Sequence, residues 1–233
     1  MSTVSAEHLT KRYGSITAVD DLSFTLTPGS VTGFIGANGA GKTTTLRMLV
    51  GLARPTSGVA LIDGVPYHRL ERPLAHVGTV LEPDSFHPGR RARDHLRVVA
   101  STLRLGSDRV DAVLEEVDLT SAANRRVGGF SLGMRQRLSL ATALIGDPRV
   151  LILDEPMNGL DPDGVLWLRT LIRSLADDQR TVLVSSHVLS ELSSIVDEVL
   201  LIDHGRLLTH TAVADHTDLE SLYLTLTHGG GSR

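Results

Sequence analysis

The chain has 233 residues, 41% of them hydrophobic and 21% charged, which suits a folded globular chain and excludes a disordered one. Lys plus Arg number 23 against 27 Asp plus Glu, so the formal charge is −4, which makes the chain a poor candidate for binding nucleic acid through bulk charge; no nucleic-acid partner is expected. There is no cysteine, which removes disulfides, thiolate zinc sites and cysteine nucleophiles. The longest apolar runs, such as VLIL at 150–153, fall far short of the about 20 residues of a membrane-spanning helix. The opening MSTVSAEHLT carries neither the basic nor the apolar region of a secretory signal. The expectation is a chain that does not cross a bilayer by itself. The ten histidines show no HExxH-like spacing. Only two basic residues are lysines, Lys11 and Lys42, so a lysine inside a motif carries weight.

In chain order, residues 3–9 and 22–27 alternate as strands do, and a Pro28-Gly29 turn leads to VTGFIG (31–36), a buried strand running into a Gly-rich loop. A helix from about Lys42 to Val50 stops at Gly51. A turn over 55–58, a strand over 59–62 and an Asp63-Gly64 turn follow, with another short apolar run at 77–81. The patterns then turn helical over 94–105, 108–117 and 132–145. In the last of these Met134, Leu138, Ala141 and Ile145 share one face. Next come VLILDEP (150–156), a helix over 163–176 started by Asp161-Pro162, TVLVSSH (181–187), a short helix and DEVLLID (197–203). Alternating apolar strands and helices predict an α/β fold with a mainly parallel sheet, interrupted by an inserted helical block. The closing GGGSR (229–233) reads as a frayed end.

Residues 36–43, GANGAGKT, fit the pattern G-x-x-x-x-G-K-[ST]. Gly36, Gly39 and Gly41 allow a tight loop whose N–H groups, with those of Ala37, Asn38 and Ala40, face phosphate oxygens. The following helix points its positive end at the same anion. Lys42 is positioned to reach the β and γ phosphates, and the Thr43 hydroxyl to ligate Mg²⁺. Without a ligand the same glycines would form an ordinary turn.

Ligands of parallel α/β sheets sit at the carboxyl ends of strands. Three strands end in candidate chemistry: the phosphate loop, Asp154-Glu155, and His187. In extended chain Asp154 and Glu155 point to opposite sides, so one can hold Mg²⁺ while the other polarises an attacking water. A free glutamate is ionised near neutral pH and can serve as a base. His187, at a strand end, is a candidate for contacting the γ-phosphate; a structural histidine is the alternative.

These motifs, in this order, resemble the ATP-binding subunit of ABC transporters over about residues 4–210. The resemblance implies a P-loop ATPase core of the ABC type with an N-terminal antiparallel β region and an inserted helical subdomain. It implies one domain over 1–222, with a core of about 1–82 and 147–222, helices over 83–146, and a tail at 223–233. By resemblance Tyr13 stacks on adenine with Val19 nearby. Gly36 to Thr43, with Thr44, bind the phosphates. Asp154 is the magnesium-site acid, Glu155 the catalytic base and His187 the switch histidine. Asn158-Gly159-Leu160-Asp161 resembles the loop between the two sites of a dimer. FSLGM (130–134) stands where the family signature, usually LSGGQ, is expected. Ser131, Leu132, Gly133 and Met134 would then act on ATP held by a partner's phosphate loop. Ser131 is also an ordinary helix cap, and Gly133 costs the helix about 1 kcal/mol against alanine.

Two departures stand out: Phe130, Leu132 and Met134 within the signature, and Glu82 where the family usually has a glutamine that helps ligate Mg²⁺. Both resemble the drug- and antibiotic-export branch of bacterial ABC systems. The resemblance implies ATP and Mg²⁺ as cofactors, a homodimer or pseudo-dimer, a separate membrane permease, and a cytoplasmic position on the inner face of the plasma membrane. GRRARDHLR (89–97), with Arg90, Arg91, Arg93 and Arg97, reads either as a salt-bridged helix start or as a contact with that permease. The rival readings are a non-transport ABC ATPase, an importer motor and a regulatory ATP-binding module. One phosphate loop and the absence of a heptad run weigh against the first, and Glu155 with His187 against the last.

Overall fold

In the computed structural model, which describes residues 2–81, 86–215, 221, 223, 225 and 226, the chain builds two sheets. Strands β1 (Val4–Tyr13), β2 (Ile16–Thr25) and β4 (Ser57–Ile62) form a small antiparallel sheet in the order β2-β1-β4. The large sheet takes β3 (Val31–Ile35), β5 (Val77–Val80), β6 (Val150–Leu153), β7 (Thr181–Ser186), β8 (Glu198–Asp203) and β9 (Arg206–Ala212). Its order is β5-β6-β7-β3-β8-β9, parallel throughout except for β9, which turns back against β8.

Helix α1 (Lys42–Leu49) follows β3, and the short α2 (Pro73–His76) leads into β5. Between β5 and β6 lie α3 (Ala92–Thr102), α4 (Ser107–Glu116) and α5 (Leu132–Leu144). Helix α6 (Pro162–Asp177) joins β6 to β7, and α7 (Leu189–Leu192) follows β7.

The short strand VLIL shows how the two faces are made. Val150 and Ile152 point into one core with Phe34, α1 and the small sheet. Leu151 and Leu153 point into the other, with α3 to α6. A strand covered on both faces has no solvent side, which is why it is apolar at every position. The helical block shares this second core continuously with the large sheet, through Leu96, Leu114 and Leu138. Helix α5 is buried beyond the predicted stripe, because Gln136, Ser139, Leu140, Ala143 and Leu144 are buried too. Of the arginines before and within α3, Arg93 pairs with Asp111 of α4 and Arg97 with Asp94. Glu82 lies outside the described residues, as does most of the 223–233 segment.

Candidate active site

Strand β7 lies between β6 and β3. The carboxyl ends of three neighbouring strands therefore bring the phosphate loop, Asp154 with Glu155, and His187 to one end of the sheet. Lys42, Glu155 and His187 line a cleft of about 330 Å³ with Ala18, Asn38, Gly39, Gly41, Thr43, Thr44 and Asn158.

The loop is shaped by its backbone. Gly41, the N-cap of α1, has φ 103, and a Cβ there would sit 2.5 Å from the Ala18 carbonyl oxygen. Only glycine fits both constraints. Lys42 is 6% exposed, and its ammonium uses all three of its donor directions. It donates to the carbonyls of Gly36 at 2.7 Å and Ala37 at 3.3 Å, and it lies 3.3 Å from Glu155 Oε1. Ala40 is buried, and its carbonyl accepts from Gly205 N at 2.9 Å, anchoring the loop to the β8–β9 turn.

The acidic pair divides its work. The Asp154 N–H donates to Val80 O at 2.7 Å, extending the parallel ladder by one rung. Glu155 then turns left-handed, with φ 47. That conformation costs a non-glycine residue about 1–3 kcal/mol and persists only where its surroundings hold it. Two hydrogen bonds do so: Glu155 N to Ser185 Oγ at 2.8 Å, and Asn158 N to Glu155 O at 3.2 Å. This turn, and not extended-strand alternation, sends the carboxylates apart. Asp154 accepts from Thr43 Oγ1 at 2.7 Å and from Ser185 Oγ at 2.5 Å. Glu155 faces Lys42 with one oxygen and accepts from His187 Nδ1 at 2.8 Å with the other.

The remaining predicted residues fall around this centre. Tyr13 ends β1, 51% exposed, with the Lys11 ammonium 4.9 Å from its ring centre. Val19 is buried beneath Gly41, and its neighbour Ala18 lines the cleft instead. Ser131 caps α5, accepting from Met134 N at 3.2 Å, and Asp161 caps α6, accepting from Gly164 N at 2.8 Å. The two capped ends lie side by side. Gly159, at φ 73, leaves room for Leu132, whose Cδ2 would be 2.3 Å from a Cβ there. Buried Gln136 donates to Pro156 O at 2.9 Å, and the Arg137 guanidinium lies 3.9 Å above the Trp167 ring. Among the described residues a Cβ on Gly133 would meet only Leu160, at 3.7 Å, so no packing contact among them demands glycine there. Ser131, Leu132, Gly133 and Met134 are not among the described residues lining the Lys42 cleft.

Sequence reading did not single out Ser185, Gln136 or Ala18. Neither Ser185 nor Gln136 stands out in the sequence, because β7 ends in two serines and α5 also carries Arg135, Arg137, Ser139 and Thr142.

A phosphate loop after a central parallel strand, an acidic pair at the end of the next strand but one and a helical block between β5 and β6 define a P-loop nucleotide hydrolase. The family model "ABC transporter" matches residues 19–158. The bacitracin transport ATP-binding protein BcrA of Bacillus licheniformis is 45% identical over 212 residues, covering 89% of this chain and 69% of the relative. The lantibiotic transport ATP-binding protein SrtF of Streptococcus pyogenes is 36% identical over 217 residues, covering 93% and 94%. Among solved structures, an ATP-binding subunit of an ABC transporter superposes with TM-score 0.86 at 25% identity, covering 96% of this chain and 99% of that one. The cbiO1 subunit from Clostridium perfringens, part of the complex cbiONQ, superposes with TM-score 0.81 at 25% identity, covering 96% and 94%.

The chain belongs to the ABC transporter family. It is an ATP-binding motor subunit with ATPase activity. No helix among the described residues is long and apolar enough to cross a membrane.

Proposed function

We propose that the chain is the motor of a peptide-antibiotic exporter, working as a two-fold dimer against a separate membrane permease on the inner face of the plasma membrane. Relatives named for bacitracin and lantibiotic transport support that cargo class. In this reading residues 83–146 form the helical subdomain of a single ATPase domain.

ATP phosphates would lie on the loop N–H groups and α1, with Lys42 toward the β and γ phosphates. Thr43 and Asp154 fit Mg²⁺, because their hydroxyl and carboxylate oxygens already meet at 2.7 Å and both are hard oxygen donors. Bound there, the ion would neutralise charge on the phosphates. Glu155 accepts the proton of the attacking water, His187 orients that carboxylate, and Lys42 stabilises negative charge on the transferred phosphoryl group. Tyr13 stacks on the adenine in this reading.

The observation that carries the dimer is the capped end of α5. Ser131 and Leu132 are exposed there, and Gly133 meets no neighbour among the described residues that requires it. A phosphate from a second copy would supply the missing reason for that glycine.

The test is light scattering on Glu155→Gln with and without Mg-ATP. The expected result is an ATP-dependent doubling of mass that Ser131→Arg, added to the same chain, abolishes while nucleotide still binds. A chain that binds ATP and stays monomeric at every concentration would overturn the shared site.

A further inference from the structure

We infer that Ser185 is the positioning residue that sets both carboxylates of the site at once. The inference rests on the roles proposed above for Asp154 and Glu155.

Strand β7 is fully buried up to this point, and after Thr181 it is apolar: Val182, Leu183, Val184 and Ser185 are all 0% exposed. A hydroxyl in such a place is costly unless it is paired. The register explains what pairs it. Leu153 of β6 stands opposite Val184 of β7, so Ser185 comes level with Asp154 just past the end of β6.

Its single proton goes to Asp154 Oδ1 at 2.5 Å, and its oxygen takes the Glu155 N–H at 2.8 Å. Asp154 is thereby gripped from two sides, since Thr43 donates to its other oxygen at 2.7 Å. Rotation of the carboxylate would break one bond or the other. The second bond pins the backbone of Glu155 in its left-handed turn, the turn that aims its side chain at Lys42 and His187.

The neighbouring serine shows that the arrangement is specific. Ser186 is also buried, at 2% exposed, yet its hydroxyl accepts from Val188 N at 2.9 Å and shares its one proton between Val188 O and Glu191 Oε2, each at 3.1 Å, away from Asp154 and Glu155. One buried hydroxyl therefore ties the metal-site acid to the base, and a change in either would be felt by the other.

The test uses Ser185→Ala and Ser185→Thr in the full chain, with a fluorescent ATP analogue titrated in EDTA and in rising Mg²⁺, and single-turnover hydrolysis on the same samples. Asp154→Asn and Glu155→Gln serve as references for a metal defect and a rate defect.

Ser185→Ala is expected to bind nucleotide normally in EDTA. It should need about 10-fold more Mg²⁺ for half-maximal effect and hydrolyse about 10-fold more slowly at saturating Mg²⁺, the scale on which outer-shell partners of metal ligands act. Ser185→Thr, which keeps the hydroxyl, should recover both. A merely structural serine would lower the melting temperature and the active fraction but leave the Mg²⁺ half-saturation point where it was.

Wild-type Mg²⁺ dependence and rate in Ser185→Ala, beside defective reference variants, would overturn the inference alone. Silent reference variants would overturn the roles of Asp154 and Glu155 and the inference with them. Loss of binding in EDTA would make the hydroxyl a folding element and also overturn it.

Discussion

Glu155 Oε1 lies 3.3 Å from the ammonium of Lys42. The two residues expected to act on ATP are thus paired with each other. Lys42 has no spare donor, since its others go to Gly36 and Ala37. On the proposed roles, a terminal phosphate competes with Glu155, Gly36 and Ala37 for this ammonium, and displacing Glu155 would free its oxygen for a water while His187 keeps its hold on the other.

Lys42→Ala is expected to weaken ATP binding by at least about 10-fold, the value of a lost charge-assisted hydrogen bond of about 1.5–3 kcal/mol. Titration with a fluorescent ATP analogue measures it. Unchanged affinity would mean that the phosphates bind elsewhere.

The links from α5 to α6 and to the segment after β6 are open to a separate test. Gln136, 3% exposed, donates to Pro156 O at 2.9 Å, and Arg137 covers the single tryptophan of the chain, Trp167. Gln136→Leu should cost about 1–3 kcal/mol by stranding the Pro156 carbonyl. Arg137→Ala should shift the emission of Trp167, which reports directly on that contact. Thermal melts and fluorescence spectra of the two variants check both expectations, and wild-type values in both would separate α5 from α6.

His95 gives a pH dependence of defined sign. Burial in the helical block, and then the nearby Arg90 charge, lower its pKa from the usual histidine value. Its Nε2 donates to Thr142 on α5 at 3.1 Å, and the Phe86 ring meets it edge-on at 4.9 Å. The unfolded chain, with an ordinary histidine near 6.5, takes up the proton first as pH falls. The stability contributed by neutral His95 is therefore present above about pH 6.5 and lost as pH falls through the lower, folded-state value. His95→Gln should flatten the difference in melting temperature between pH 7.5 and pH 5.5, chosen to lie about one unit on either side of the free value. Parallel slopes for the two proteins would remove His95 from the account.

Much of this site was legible because parallel strands present their chemistry at one end. GANGAGKT, Asp154-Glu155 and His187 each follow an apolar run, and β7 between β6 and β3 brings them together. What stayed hidden has physical causes. Strand β1 runs on to Tyr13, but register shifts around Leu9, with His8 left-handed at φ 51, put Leu9 and Thr10 both inside and break the alternation. Strand β9 is partly exposed along nearly its whole length, so it shows no alternation to read. The split between Asp154 and Glu155 follows from the left-handed turn at Glu155, a conformation that spacing alone does not signal. Ser185 looked like any serine because its partners are 30 and 31 residues away in the chain.

The most direct test of the account is single-turnover ATP hydrolysis by Glu155→Gln at saturating Mg-ATP, with bound nucleotide measured in the same samples. Full binding is expected, with hydrolysis slowed by about 100-fold or more, the contribution of a positioned general base. Full binding with hydrolysis at the wild-type rate would contradict it, and with it the assignment of Glu155 as the base.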